Sequence, residues 1–342
     1  MLPSASLPTS VKSKSSAASQ PIVSREEALT VYRRLLLARL AEEAIRREYP
    51  HDEMKTPVHL GIGQEAIPIG VCHSLPRSSK LFGTYRNHAL YVAATGETDA
   101  FFGELYGRAT GPGKGKAGSM HIASPEHGLL ATSAVVATTI PVAVGAALAE
   151  SYRGGTGVVA VFFGDGAVEE GVFWESVNFA SLRKLRVLFV CEDNELAIHT
   201  PTSQRQGFRS IPDAVRGFHC DVHSADGSDV HEVIATTRRA LAQIADDPRP
   251  ALLHFRYLRF LEHVGPREDF DVGYRRRPTS EELERRDPVR RLKKLLVDEH
   301  GASEAELAAI RTSVDEQIAT SIARAQAAPF APPEELWRDV LA

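Results

Sequence analysis

A chain of 342 residues has room for about two domains, or for one large α/β domain with appendages, at roughly 150 residues per domain. Lys+Arg 40 against Asp+Glu 44 gives a net charge of −4, with 43% apolar and 25% charged residues; this excludes wholesale disorder and leaves no basic excess to collect nucleic-acid phosphates. Cys72, Cys191 and Cys220 form no C-x-x-C pair, which argues against a disulfide framework or thiolate zinc site and for a reducing, cytoplasmic compartment.

Residues 1–23 are rich in Ser, Ala and Pro and hold no acidic residue, and the first arginine is Arg25. They read as a flexible polar tail; a transit peptide is similarly poor in acids but usually carries arginine. Ser24 with Glu27 reads as a capping box ahead of a long helix, with Leu29, Tyr32, Leu36, Leu40 and Ile45 near helical spacing. Residues 57–118 are glycine-rich and loop-like, with short helical pieces such as 98–107. Within them Gly111–Ser119 suggests a phosphate loop, but no glycine stands five positions before either Gly-Lys pair, so a flexible loop is expected. Gly128–Ala149 carries no charge and is long enough to cross a bilayer. Its Thr132, Ser133, Thr138, Thr139 and Pro141, and the missing basic flank, favour a buried turn feeding a small-residue helix, and no membrane association is expected.

The clearest pattern lies at 158–194. Val158–Phe163 is an apolar run, Gly164-Asp165-Gly166 breaks it, 167–182 is helical in pattern, and Val187–Cys191 is a second apolar run ending in Glu192-Asp193-Asn194. That is β–turn–α–β, the unit of a mainly parallel sheet flanked by helices, with ligands at the carboxyl ends of its strands. A helix over 229–245 and a strand over Ala251–Phe255 follow. Beyond Arg275 the chain becomes charged and helical, so the expected organisation is a tail (1–23), an α/β domain (24–275) and a helical C-terminal extension (276–342). No G-x-G-x-x-G opens the βαβ unit, which argues against nicotinamide binding.

Asp165 directly follows one strand and Asn194 the next. If the strands are neighbours, a carboxylate, an amide oxygen and a nearby backbone carbonyl make half a coordination shell for Mg²⁺, whose other ligands typically come from phosphates and water. Gly164 and Gly166 let backbone approach those phosphates, and the following helix presents its amide end. The bland alternative is a G-D-G turn whose aspartate caps a helix; the matching Asn194 favours the metal.

With those residues the chain resembles the thiamine-diphosphate signature, and Cys191-Glu-Asp-Asn-Glu-Leu-Ala-Ile-His-Thr-Pro-Thr-Ser203 looks like the alpha subunit of the 2-oxo acid dehydrogenase first component, most like the branched-chain and acetoin types in this stretch. His59-Leu-Gly-Ile-Gly-Gln-Glu65, Gly83-Thr-Tyr-Arg-Asn-His88 and Gly115-Lys-Ala-Gly-Ser-Met-His121 match in order, and the resemblance runs from about residue 25 to the end. It implies a thiamine-diphosphate-binding fold with Asp165, Asn194 and the Leu196 carbonyl as metal ligands. Gly164, Gly166 and Ala167 then meet the diphosphate, with Tyr85 and Arg86 binding it, and Ala134 and Val136 contact the aminopyrimidine. His88 and His263 take the places of active-site histidines; His121, His127 and His199 are read as structural.

The same resemblance implies decarboxylation of a 2-oxo acid with the cofactor as electron sink, then transfer of the acyl unit to a lipoyl group on a partner acyltransferase. A glutamate that activates the cofactor comes, in the family, from a separate beta subunit, which implies an α2β2 heterotetramer. After His263 this sequence departs from the family's serine-bearing loop, reading Val264-Gly-Pro-Arg-Glu-Asp-Phe270. That puts regulation by phosphorylation and the substrate in doubt, and keeps a carboligase or transketolase-like transfer to an aldehyde as the alternative.

Overall fold

The computed structural model describes residues 23–338. The tail expected at 1–23 lies outside them except for Val23, which is buried. Helix α1 (Arg25–Glu48) begins at the Ser24 cap, whose Oγ accepts from the Glu27 N–H at 3.2 Å. Only half of the capping box forms, because the Glu27 carboxylate turns instead to His73 and Arg238.

The region expected to be loop-like holds α2 (Ala66–Ser74), β1 (Lys80–Thr84), α3 (His88–Thr95) and α4 (Asp99–Leu105). Strand β1 begins with lysine and is only five residues long; its identity comes from pairing with two other strands, which no local pattern reports. The Gly111–Ser119 loop is tied down rather than free. Glu104, 1% exposed, accepts from the backbone N–H groups of Gly113, Gly115, Ala117 and Gly118 at 2.7–3.2 Å. The uncharged stretch after Gly128 becomes β2 (Leu129–Ser133) and α5 (Thr139–Tyr152). Among the described residues no helix is long and apolar enough to cross a membrane.

Next come β3 (Val159–Gly164), a 3-10 turn (Asp165–Glu169), α6 (Gly171–Leu182) and β4 (Val187–Asp193). A short hairpin of β5 (Leu196–Ala197) and β6 (Thr200–Pro201) precedes α7 (Ile211–Val215), β7 (Asp221–Asp226), α8 (Val230–Asp246) and β8 (Ala251–Arg256). The chain closes with α9 (Ser280–Arg286), α10 (Pro288–Asp298) and α11 (Glu304–Ala327).

Six strands make one parallel sheet in the order β2-β1-β3-β4-β8-β7. Strands β3 and β4 are buried along nearly their whole length, as strands covered on both faces must be, and their unbroken apolar runs reflect it. Alternate residues feed two cores. Leu188 and Val190 face one with α1, α2 and α8, while Phe189 and Cys191 face the other with α5 and α6. Helices α10 and α11 bury Leu296, Leu307, Val314 and Ile318 in the first of these cores. From β1 the chain moves to one side of the sheet and from β3 to the other, so the strand order reverses between them. The crevice outside the carboxyl ends of β1 and β3 is where such sheets bind ligands.

Candidate active site

A cavity of about 260 Å³ opens at that crevice. The tip of β1 supplies Tyr85 and Arg86, the tip of β3 supplies Gly164–Ala167, and β4 supplies Glu192 and Asn194. Val136, Leu196 and His263 complete the predicted residues on its wall. Ala134 is not among the lining residues, although Val136, two positions on, is.

Strands β3 and β4 are hydrogen-bonded neighbours with Gly164 opposite Glu192, so Asp165 and Asn194 leave adjacent strands at one edge of the sheet. Asp165 is 1% exposed, and one of its oxygens pairs with Arg205 while Oδ1 has no hydrogen-bond partner. Asn194 donates from Nδ2 to the Tyr257 hydroxyl at 3.0 Å, and its Oδ1 is likewise buried without a partner. A buried acceptor left unmade costs about 1–3 kcal/mol; two such oxygens at neighbouring strand tips are donors of the hard kind that a divalent cation takes as part of its shell. Among the described residues no group of three or more His, Cys, Asp or Glu is placed to hold a metal ion. Burial pushes the Asp165 carboxyl up to about 6; the nearby Asp193 carboxylate adds to this and Arg205 opposes it.

The β5–β6 hairpin forms because Asp193 Oδ1 accepts from the Glu195 N–H at 2.8 Å, turning the chain sharply with Glu195 in the left-handed region. It then lies against the Asp165–Glu169 turn: a Cβ on Gly166 would stand 2.9 Å from the Ala197 Cβ, so only glycine permits the approach. Leu196 is thereby brought onto the cavity wall beside Asp165.

Arg86 is 8% exposed and donates to the Leu60 carbonyl at 2.5 Å and the His263 carbonyl at 3.1 Å. No carboxylate forms an ion pair with it among the described residues, so its charge is uncompensated and suits a phosphate, which guanidinium can bind with paired donors. His263 packs edge-on against Tyr85 and His59 with centroids 5.6 and 5.2 Å away. Burial, then the charges of Arg86 and Arg259, lower its pKa to about 4, which makes it a neutral imidazole at pH 7.

His88 is not among the residues that line this cavity. It opens α3 and is 2% exposed, with Nδ1 3.1 Å from Glu42 and Nε2 2.7 Å from Ser119. Both ring nitrogens are thus engaged away from the reacting space. Conversely, sequence reasoning missed Gln64, Glu192, Tyr257 and Arg259 on the wall. Glu192 is buried and accepts from Gln64 Nε2 at 2.9 Å; burial raises its carboxyl to about 8, against that hydrogen bond and Arg86. Glu192 and Tyr257 stand at or just beyond strand ends, a position that parallel-sheet topology marks for function.

Residues 32–334 match the family model of the dehydrogenase E1 component. The pyruvate dehydrogenase E1 component subunit alpha of Zymomonas mobilis is 33% identical, over 93% of this chain and 89% of its own. The chloroplastic pyruvate dehydrogenase E1 component subunit alpha-3 of Oryza sativa is 33% identical, over 96% of this chain and 79% of its own. The alpha subunit of acetoin:2,6-dichlorophenolindophenol oxidoreductase from Bacillus subtilis is 30% identical, over 93% and 94%. With the match spanning the sheet, the crevice and the C-terminal helices alike, the chain belongs to the dehydrogenase E1 component family.

Proposed function

We propose that this chain is the alpha subunit of a thiamine-diphosphate- and Mg²⁺-dependent 2-oxo acid or acetoin dehydrogenase that passes the acyl unit to a lipoyl group on an acyltransferase. The observation that carries the reading is the pair of partnerless oxygens, Asp165 Oδ1 and Asn194 Oδ1, beside the uncompensated Arg86. Asp165, Asn194 and the Leu196 carbonyl would hold the metal. Tyr85, Arg86 and the Gly164–Ala167 backbone would hold the diphosphate, and Val136 would meet the aminopyrimidine. When bound, thiamine diphosphate supplies a carbanion nucleophile and an electron sink for decarboxylation.

The chain's own residues bind, orient and manage protons. Arg86 would hold the diphosphate end, and since its Nη2 also donates to the His263 carbonyl at 3.1 Å, the same guanidinium would tie the cofactor to the backbone that carries the His263 ring. The neutral imidazole of His263 is available to accept a proton at the open side of the cavity. His88, held between Glu42 and Ser119, does not line the cavity, so its role there would be one of holding the fold around the site.

A beta subunit partner fits the surface next to the cavity. Val135, Val136 and Val142 are 62%, 44% and 55% exposed at and just before the start of α5, and Phe179 and Leu182 on α6 are also exposed. An apolar face of this kind is a cost to an isolated soluble chain and an asset in an α2β2 assembly. Three unpaired cysteines accord with a reducing, cytoplasmic setting.

The test is calorimetric and catalytic. Thiamine diphosphate with Mg²⁺ should bind the reconstituted protein, and Asp165→Ala should abolish that metal-dependent binding. Reductive acylation of a lipoyl domain from a 2-oxo acid or acetoin should then exceed transfer to an aldehyde. Undiminished binding in Asp165→Ala, or turnover only with the aldehyde, would refute the respective half of the reading.

A further inference from the structure

Arg205 lies two residues beyond the block that carries the family resemblance and belongs to none of the predicted ligand sets. It is nonetheless among the most constrained cations of the molecule, its side chain 6% exposed. Its Nη2 pairs with Asp165 Oδ2 and its Nη1 with Glu169, while Nε donates to the Thr200 carbonyl at 2.9 Å. A further contact reaches the Thr202 hydroxyl at 3.3 Å. One guanidinium therefore ties three pieces of chain: the tip of β3, the 3-10 turn after it, and the β5–β6 hairpin that carries Leu196.

We infer that Arg205 is a positioning residue for the metal half-shell, bridging Asp165, Glu169 and the Thr200 carbonyl so that the carboxylate and the hairpin are assembled before any ligand arrives. The inference rests on the reading of Asp165 as a metal ligand. Two observations support a geometric role beyond charge balance. Arg205 occupies Oδ2 only, and the oxygen left without a partner is Oδ1, so the contact selects which lone pairs remain available. The hairpin is short, two residues per strand with Glu195 and Ile198 both at positive φ. Apart from Arg205, its side-chain ties are Arg259 Nη1 to the Ile198 carbonyl at 3.2 Å, Arg256 to Glu195, and the Asp193 turn, none of which reaches Asp165. Against Gly166 the hairpin presents only the Ala197 methyl, packed so closely that a Cβ added to the glycine would stand 2.9 Å away. The planar fork of arginine can serve all three acceptors together; a lysine ammonium, a point charge on a flexible stem, cannot fix the same arrangement.

The experiment uses the full chain reconstituted with its beta subunit, and reads two quantities besides turnover. Mn²⁺ binding in the presence of thiamine diphosphate is followed by electron paramagnetic resonance, and hydrogen exchange of the ligand-free protein is followed across residues 195–206. Outer partners of metal ligands typically carry about 10–100-fold in metal affinity. Arg205→Met should therefore weaken Mn²⁺ binding by about that factor and accelerate exchange in 195–206, with the rest of the sheet unchanged. Arg205→Lys should keep the charge and fail to restore either quantity. Glu169→Gln, which removes one arm while leaving Asp165 paired, should give a smaller loss of the same kind; it keeps the test open if Arg205→Met does not fold. Affinity within about twofold of the parent in Arg205→Met or full recovery in Arg205→Lys would overturn the inference, as would a Glu169→Gln protein unchanged in both readouts. Asp165→Asn separates the levels: if it keeps parent Mn²⁺ affinity, the ligand reading itself has failed. If it loses affinity while the Arg205 variants do not, only the positioning role has failed.

Discussion

Arg86→Met should affect the empty and the loaded protein in very different degrees. Taking a guanidinium out of water costs several kcal/mol after relaxation, and a missing counter-ion leaves that cost uncompensated by Coulomb attraction. What Arg86 recovers in the ligand-free fold is two hydrogen bonds to backbone carbonyls, Leu60 at 2.5 Å and His263 at 3.1 Å. Hydrogen bonds from charged donors return about 1.5–3 kcal/mol each, so the sum nearly cancels the desolvation. Methionine fills similar volume, leaves two carbonyls unpaired and removes the buried charge; the ligand-free unfolding midpoint should therefore move by no more than about 3 °C. Cofactor binding has no such cancellation. Losing the charged partner of a buried phosphate should cost about 2–5 kcal/mol, which is roughly thirtyfold to several-thousandfold in affinity. Calorimetric titration with thiamine diphosphate at saturating Mg²⁺ reads the affinity, and scanning calorimetry with and without cofactor reads the stability. A midpoint lowered by about 8 °C or more with affinity unchanged would refute the reasoning and make Arg86 a structural tie.

Gly166→Ala places a Cβ 2.9 Å from that of Ala197, and displacing the hairpin should cost about 1–3 kcal/mol of cofactor affinity, about five- to a hundredfold, measured by the same titration. Asp287→Ala removes both the cap of α10, where Oδ1 accepts from Val289 N at 2.9 Å, and a buried partner of Arg39 at 2.9 Å. It should lower unfolding free energy by about 3–5 kcal/mol in urea titrations, since it strips a paired buried charge. Burial lowers His59 to about 3 and His263 to about 4, so both are neutral in the fold and protonate more easily when unfolded. The unfolded chain then binds more protons below the ordinary histidine value near 6.5, so their contribution is intact above that pH and is lost as pH falls toward 4 and 3. Stability measured by denaturant from pH 7 to pH 4 should show that slope, and His59→Phe should flatten it; an unchanged slope would contradict the assignment.

What could be read from the sequence follows from how local each signal is. Strands β3 and β4 are central and covered on both faces, so their apolar runs declare them, and with them the Asp165–Asn194 juxtaposition. Strands β1, β2 and β7 are short, carry Lys80, Thr132 and Asp221, and become strands through partners elsewhere in the chain. His88 shows the limit of block-wise reasoning. Two residues after Arg86 the chain is already the first turn of α3, and the ring enters the interior toward Glu42 instead of following Tyr85 into the cavity. Arg205 was illegible for another reason: its meaning lies in three contacts that are 40, 36 and 5 residues away along the chain.

The contrast among buried arginines supports the proposed cofactor site. Arg39 is paired with Glu65 and Asp287, and Arg259, 1% exposed, faces Asp269. Arg39 is enclosed by the protein and Arg259 lines the same cavity as Arg86, and each has a carboxylate within ion-pair distance. Arg86 is as deeply placed, yet it meets only carbonyls, while three acceptors on the same wall, Asp165 Oδ1, Asn194 Oδ1 and Gln64 Oε1, lack donors. A fold able to satisfy its interior charges elsewhere has left donors and acceptors separated across one cavity, with the distance between them to be spanned by something carrying both signs. A metal–diphosphate, as proposed for this site, would do so with its cation toward the oxygens and its phosphates toward the guanidinium. The free energy withheld from the empty fold is then released on binding, so stability should rise with cofactor concentration as mass action requires.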